Sequence, residues 1–119
     1  MAEHNDLGKV GEEIAVAYLQ ENGYTILEQN FVFQKAEIDI IARKGDWLIV
    51  VEVKTRTSTD YGNPEDFVDK KKIKLLVKAI DEYVQQTNLD LEIRFDIISI
   101  VKTGDNFNIE HLEDAFYYF

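Results

Sequence analysis

Three residues pose the chemical question in this chain. Asp39, Glu52 and Lys54 fall in two runs rich in β-formers, EIDIIA at 37–42 and WLIVVEVK at 47–54, joined by Arg43-Lys44-Gly45-Asp46. Side chains two apart in a strand point to one face, so Glu37 and Asp39 are expected to share a side, as are Glu52 and Lys54. The Gly-bearing connection predicts a hairpin, which brings paired side chains to about 5 Å. Carboxylates that close repel unless a proton or a cation lies between them. Oxygen donors with no His or Cys nearby favour Mg²⁺ or Mn²⁺ over zinc, because such ions keep several waters and bind through one or two carboxylates plus substrate phosphate. Asp39 and Glu52 are therefore candidate metal ligands, and Lys54 a group that orients water or neutralises charge in the transition state. That set suits phosphodiester hydrolysis. The rival explanation is a solvated hairpin face held by cross-strand ion pairs, each worth a few tenths to about 1 kcal/mol; spacing alone leaves both open.

The flanking segments supply elements to position such a site. Leu7, Val10, Ile14, Ala17 and Tyr18 follow helical spacing, which predicts a first helix over about 6–22 capped by Asn5 or Asp6 and stopped at Gly23. Tyr24 to Phe33 reads as a strand broken near Asn30. Thr55 to Asn63 lacks apolar periodicity and reads as a surface loop beside the site, with Pro64 suited to a helix start. From Asp69 to about Gln86, Ile73, Leu76, Val77, Ile80, Tyr83 and Val84 line one helical face and Lys71, Lys74 and Lys78 the other. Leu91 to Val101 reads as a long strand, Phe107 to Ile109 as a short one, and HLEDAFYYF as a short helix with an aromatic tail that packs on the sheet or serves a dimer contact. Helices interleaved with strands predict an α/β fold, a central mixed β-sheet flanked by α-helices.

Composition bounds what this fold can do. A chain of 119 residues, 45% of them hydrophobic with seven Phe, six Tyr and one Trp, has material for one globular domain over 1–119. It has no cysteine, which excludes disulfides, thiolate zinc sites and thiol catalysis. The start MAEHNDLGKVGEE lacks the pattern of a signal peptide, and the apolar stretch Trp47 to Val51 is too short to span a bilayer. A cytoplasmic location with no membrane partner is expected. The net charge of −10 opposes broad affinity for nucleic acid. It is unevenly placed, however: residues 1–34 carry one base and six acids, 35–80 ten bases and eight acids, and 81–119 two bases and nine acids. Only the middle can face phosphate, and there Arg56, Lys71 and Lys74 are the candidate substrate contacts, against the reading of a merely solubilising surface. His4 and His111 have no partner at ligand spacing and read as terminal or surface residues.

The spacing of Asp39, Glu52 and Lys54 resembles the PD-(D/E)XK nuclease pattern, with Ile38 in place of its proline. Over the whole chain, GEEIA at 11–15, Gly23-Tyr24, Asn30-Phe31, EIDIIA at 37–42, VEVKTR at 51–56, Tyr61-Gly62, Lys71, RFDIISI at 94–100 and Ala115-Phe116 resemble the YraN-like family of small bacterial proteins. Two departures are Ala36, where that family usually has glycine, and Val51, where Phe is common. The resemblance implies a restriction-endonuclease-like fold similar to archaeal Holliday junction resolvases. It also implies that Glu12 joins Asp39, Glu52 and Lys54 as an acidic participant, and that branched or damaged DNA is the substrate. The expected function is thus a Mg²⁺- or Mn²⁺-dependent DNA endonuclease, and a homodimer would suit a junction that presents two strands to cut. The alternative is a catalytically silent module of the same fold that docks to a DNA-processing partner protein through its acidic ends.

Overall fold

The computed structural model describes residues 3–57 and 68–116, with side chains from residue 6 onward. Its elements run α1 (Glu3–Glu21), β1 (Thr25–Phe33), β2 (Ala36–Lys44), β3 (Trp47–Thr57), α2 (Lys70–Thr87), β4 (Glu92–Thr103) and β5 (Asn106–Leu112). The five strands form one sheet in sequence order. Neighbours β1–β2, β2–β3 and β4–β5 are antiparallel, while β3 and β4 are parallel. A parallel pair needs a long crossover, and α2 lies within it. The two helices cover opposite faces: Leu76, Ala79, Ile80 and Tyr83 of α2 share one core with Leu48, Val50 and Phe95, and Ala15 and Leu19 of α1 share the other with Ile49, Val51, Ile98 and Ile100. This is the α/β, restriction-endonuclease-like arrangement that the sequence predicts, a central mixed sheet flanked by helices.

Burial on both faces explains why β3 and β4 read as continuous apolar runs. In β4 every residue from Phe95 to Ile100 is buried, and in β3 the buried stretch runs from Leu48 to Glu52. One core strand therefore ends on a carboxylate, and the other contains one at Asp96. Both departures from the family pattern sit in the core, Ala36 against the α2 side and Val51 against the α1 side.

Several boundaries and contacts differ from expectation. Helix α1 continues through Asn5 and Asp6, so neither residue is its cap. Its buried positions are Gly11, Ala15 and Leu19, while Val10 and Ala17 are exposed. Ile14 and Tyr18 of the expected stripe do pack against this core, but its closest approach uses a small residue: a Cβ on Gly11 would collide with the Thr55 side chain of β3. The β2–β3 turn is shorter than expected, since Arg43 and Lys44 pair with Leu48 and Trp47, leaving Gly45, at φ 59°, and Asp46 between the strands. Helix α2 is capped by Asp69, which accepts from the Lys72 N–H at 2.8 Å, and ends on Asn88 at φ 56°.

Strand β5 runs to Leu112, and residues 113–116 form no helix, so the short helix expected there is absent. Phe116 lies on Phe95 with ring centroids 5.2 Å apart, and the Ala115 N–H donates to the Phe95 carbonyl at 2.7 Å. Residues 117–119, most of the expected loop with Tyr61, Gly62 and Pro64, and the His4 side chain lie outside what is described. Thr55 to Thr57 belong to β3 rather than to a loop.

Candidate functional site

Besides a register shift between Ile26 and Glu28 of β1, the sheet is irregular around Asp39, and the candidate carboxylates gather there. Ala36, Ile38 and Ile41 of β2 pack on the α2 side, whereas Ile40 and Ala42 pack on the α1 side. Strict alternation cannot put Ile38 and Ile41 on one face, so β2 turns over at Asp39. The residue facing Asp39, between the pairs Gln29↔Ile40 and Phe31↔Ile38, is Asn30, and its φ of 53° is a conformation Asn tolerates better than most residues. Thus β1 is continuous, and the break expected near Asn30 is a local kink. On the other side of β2, backbone pairing with β3 ends at Ile40↔Val51. Beyond it the Asp39 side chain takes over, with Oδ2 accepting from the Val53 N–H at 2.8 Å.

This fork opens a cleft of about 390 Å³ lined by Lys35, Glu37, Asp39, Glu52, Asp69, Lys71 and Lys72 with apolar Ala36, Leu75 and Leu76. Glu52 is its deepest charged group, only 6% exposed. One carboxylate oxygen, Oε1, meets Lys72 Nζ at 2.8 Å. The other, Oε2, is buried and has no hydrogen-bond partner among the described residues. Burial first, and Asp39 second, push the Glu52 carboxyl up to about 7, with Lys72 pulling the other way. Asp39 is also raised, chiefly by burial, with the Val53 N–H and Lys72 opposing and Glu37 adding to it.

Glu12 approaches from α1. Burial and the charge of Asp39 raise its pKa, and Asn30 opposes that shift. With its amide turned to satisfy both neighbours, Asn30 Nδ2 donates to Glu12 Oε1 and Glu37 Oε2, each at 3.3 Å. The close approach at Gly11 is what brings the next residue, Glu12, down to the strands.

The structure thus brings together Asp39, Glu52 and, at the edge, Glu12. It adds a cation that the strand pattern did not supply: the Lys72 ammonium of α2 lies 2.8 Å from Glu52 Oε1. Lys54 follows Glu52 by two positions on β3, about 7 Å along the strand, and is not among the described residues that line the cleft. Arg56 is two positions farther, on the same face by alternation. Of the lysines assigned to substrate, Lys71 lines the cleft and Lys74 does not. The sequence marks Lys72 only as one of several lysines able to contact phosphate, not as a partner of Glu52, and it marks Asn30 only as a strand break and part of the family resemblance. The signal for Lys72 was the run Lys70-Lys71-Lys72 in the first turn of a helix, where the dipole disfavours positive charge.

His111 corrects a further expectation, because it is a buried network member rather than a surface residue. Its Nε2 lies 2.7 Å from Asp96 Oδ2 and its Nδ1 3.1 Å from the Tyr18 hydroxyl. Arg94 grips both oxygens of Asp96, Nε to Oδ1 at 2.9 Å and Nη2 to Oδ2 at 2.8 Å, and the Asp114 N–H adds a bond at 3.0 Å. Burial would raise the Asp96 pKa, but the bonds from His111, Arg94 and Asp114 override it and hold it low. Asp96 is a satisfied structural carboxylate.

No group of three or more His, Cys, Asp or Glu side chains among the described residues converges tightly enough to enclose an ion. What the cleft offers is a pair of carboxylates, one with an orphaned buried oxygen. That donor set fits Mg²⁺ or Mn²⁺, which take most of their remaining ligands from water and phosphate, and does not fit zinc.

Fold and cleft together define a restriction-endonuclease-like α/β protein whose buried carboxylate pair sits at a strand fork. A family model described as uncharacterised protein family UPF0102 matches residues 11–100, which span every candidate site residue. A UPF0102 protein of Flavobacterium psychrophilum is 64% identical over 119 residues, the whole of both chains. One of Christiangramia forsetii is 57% identical over the same length and coverage. One of Phocaeicola vulgatus is 50% identical over 117 residues, 98% of this chain and 97% of its own. The chain belongs to the UPF0102, or YraN-like, family.

Proposed function

We propose that this protein is a Mg²⁺- or Mn²⁺-dependent endonuclease that hydrolyses DNA phosphodiester bonds, with branched or damaged DNA as substrate. The observation that carries this reading is Glu52 Oε2, a buried acceptor with no hydrogen-bond partner among the described residues, beside a second carboxylate. Leaving such an oxygen unsatisfied costs about 1–3 kcal/mol or more, and a cation is the ligand that removes that cost. Asp39 and Glu52 would hold the ion, which when bound polarises a phosphoryl oxygen and lowers the pKa of water.

The protein's own groups do the rest. The Val53 N–H fixes the Asp39 carboxylate, and the hydrogen bonds of Asn30 hold Glu12 and Glu37 at the rim. Lys54 orients the attacking water or balances the charge that develops on the phosphate. Lys35 and Lys71 line a locally positive wall in an otherwise acidic protein, and Arg56, about 13 Å along β3 from Glu52, contacts phosphate farther along the strand. Lys74 extends the same basic surface. No helix among the described residues is long and apolar enough to cross a membrane; action in the cytoplasm, as a homodimer on a junction, completes the proposal.

The test is incubation of purified protein with linear, single-stranded and four-way DNA, with and without Mg²⁺ or Mn²⁺. Metal-dependent cutting that disappears in Asp39→Ala and Glu52→Ala is expected, and cutting that survives both substitutions contradicts the reading. No cutting of any substrate would favour the catalytically silent module acting through a DNA-processing partner, a role that the −10 net charge suits.

A further inference from the structure

The ion pair between Lys72 and Glu52 is placed where a helix disfavours it. Lys72 lies in the first turn of α2, beside Lys70 and Lys71, where the dipole disfavours positive charge and the one acid at hand is the capping Asp69. Its side chain is 45% exposed, whereas that of Glu52 is 8% exposed. The lysine therefore reaches inward from a solvated position to a desolvated carboxylate. Local rules broken without a packing gain mark functional positions.

Charge explains the reach. Asp39 and Glu52 set two carboxylates side by side in a desolvated cleft, and the Lys72 ammonium touches only Oε1, while Oε2 has no hydrogen-bond partner among the described residues. Although burial opposes its charge, Lys72 is held protonated by Glu52, Asp39 and Asp69. Against this carboxylate pair Lys72 offers one positive charge, whereas a divalent cation would offer two.

We propose that Lys72 is a displaceable stand-in for the divalent cation: its ammonium occupies the Glu52 carboxylate until the ion binds, then swings to the cleft rim beside Lys35 and Lys71 to contact a substrate phosphate. This rests on the reading of Asp39 and Glu52 as the cation site. A lysine suits the role, since its flexible four-carbon stem carries a compact charge that rehydrates readily at an exposed position. The exchange keeps the substrate-facing ammonium withdrawn until the cation is in place, which couples phosphate binding to metal loading.

Two measurements on the full chain test it. In Mn²⁺ titrations without DNA, Lys72→Met should bind the ion about tenfold more tightly than wild type, because the competing charge is gone; unchanged or weaker binding overturns the proposal. In wild-type protein with ¹³C-methylated lysines, the Lys72 resonance, assigned by its loss in Lys72→Met, should move to the position of a solvated lysine as Mg²⁺ saturates. A resonance that stays put overturns the proposal without reliance on the variant's stability. If neither protein binds Mn²⁺, the cation-site reading falls and this one with it; equal binding by both removes the role of Lys72 alone.

Discussion

Glu52 and Asp96 lie on adjacent parallel strands, one register position apart, and both are buried, yet the fold serves them in opposite ways. Asp96 faces the α1 side and receives bonds from Arg94, His111 and the Asp114 N–H. Glu52 faces the α2 side and has one lysine for one oxygen. A protein under selection for stability alone would not keep the second arrangement, because a half-satisfied buried charge is worse than an apolar residue. Under the proposed function Glu52 is a ligand in waiting, whereas Asp96 is structure.

The first consequence is a stability cost at Glu52. Its folded pKa of about 7 lies above that of an exposed glutamate, so its contribution favours folding at low pH and is lost as pH rises through 7. Without metal, Glu52→Gln should therefore stabilise the protein at pH 8 by about 1–3 kcal/mol, and by much less at pH 4.5. Chemical denaturation of both proteins at the two pH values measures the gap.

The opposite sign is expected at Asp96. Its lowered folded pKa makes its contribution full above the unfolded value of about 3.9 and lost as pH falls through the folded one. Asp96→Asn should cost about 3 kcal/mol at pH 7, since Arg94 then keeps only the exposed Glu113, 3.7 Å away, as counter-charge. The variant should also lack part of the wild type's loss of stability below pH 4, which an acid titration followed by circular dichroism would show.

Gly11 gives a steric prediction. Alanine is favoured over glycine in a helix by about 1 kcal/mol, yet here the added methyl meets Thr55. Gly11→Ala should destabilise the protein by about 1–3 kcal/mol, and Thr55→Gly in the same chain should recover part of that. The melting temperatures of the two single variants and the double variant decide it.

Sequence and structure agree where one principle acts alone. The apolar runs at Leu48 to Val51 and Phe95 to Ile100 announced buried strands, and the stripe through Leu76, Ile80 and Tyr83 announced α2. Disagreement arises where two compete. The expected stripe of α1 holds at Ile14 and Tyr18 but misses the centre of the contact, because Gly11 and Ala15 carry too little side chain to mark it. Glu37, Asp39 and Glu52 do line one cleft, but β2 turns over at Asp39, and a helix adds a second lysine, Lys72, that strand alternation could not foresee. Helix periodicity places Lys72 on a face, but only tertiary packing says what that face meets. His111 looked solitary because its partners Asp96 and Tyr18 are distant in sequence. Asp96 itself had a visible signal, a carboxylate in an unbroken apolar strand with Arg94 two residues before it.

The central claim is that Asp39 and Glu52 together hold a divalent cation. Its most direct test is a Mn²⁺ titration, followed by electron paramagnetic resonance of the free ion, of wild type and Asp39→Asn at pH 8, where Glu52 is ionised. Saturable binding by the wild type, weakened at least about tenfold in the variant, is the expected result. Equal affinity in the two proteins would contradict the account.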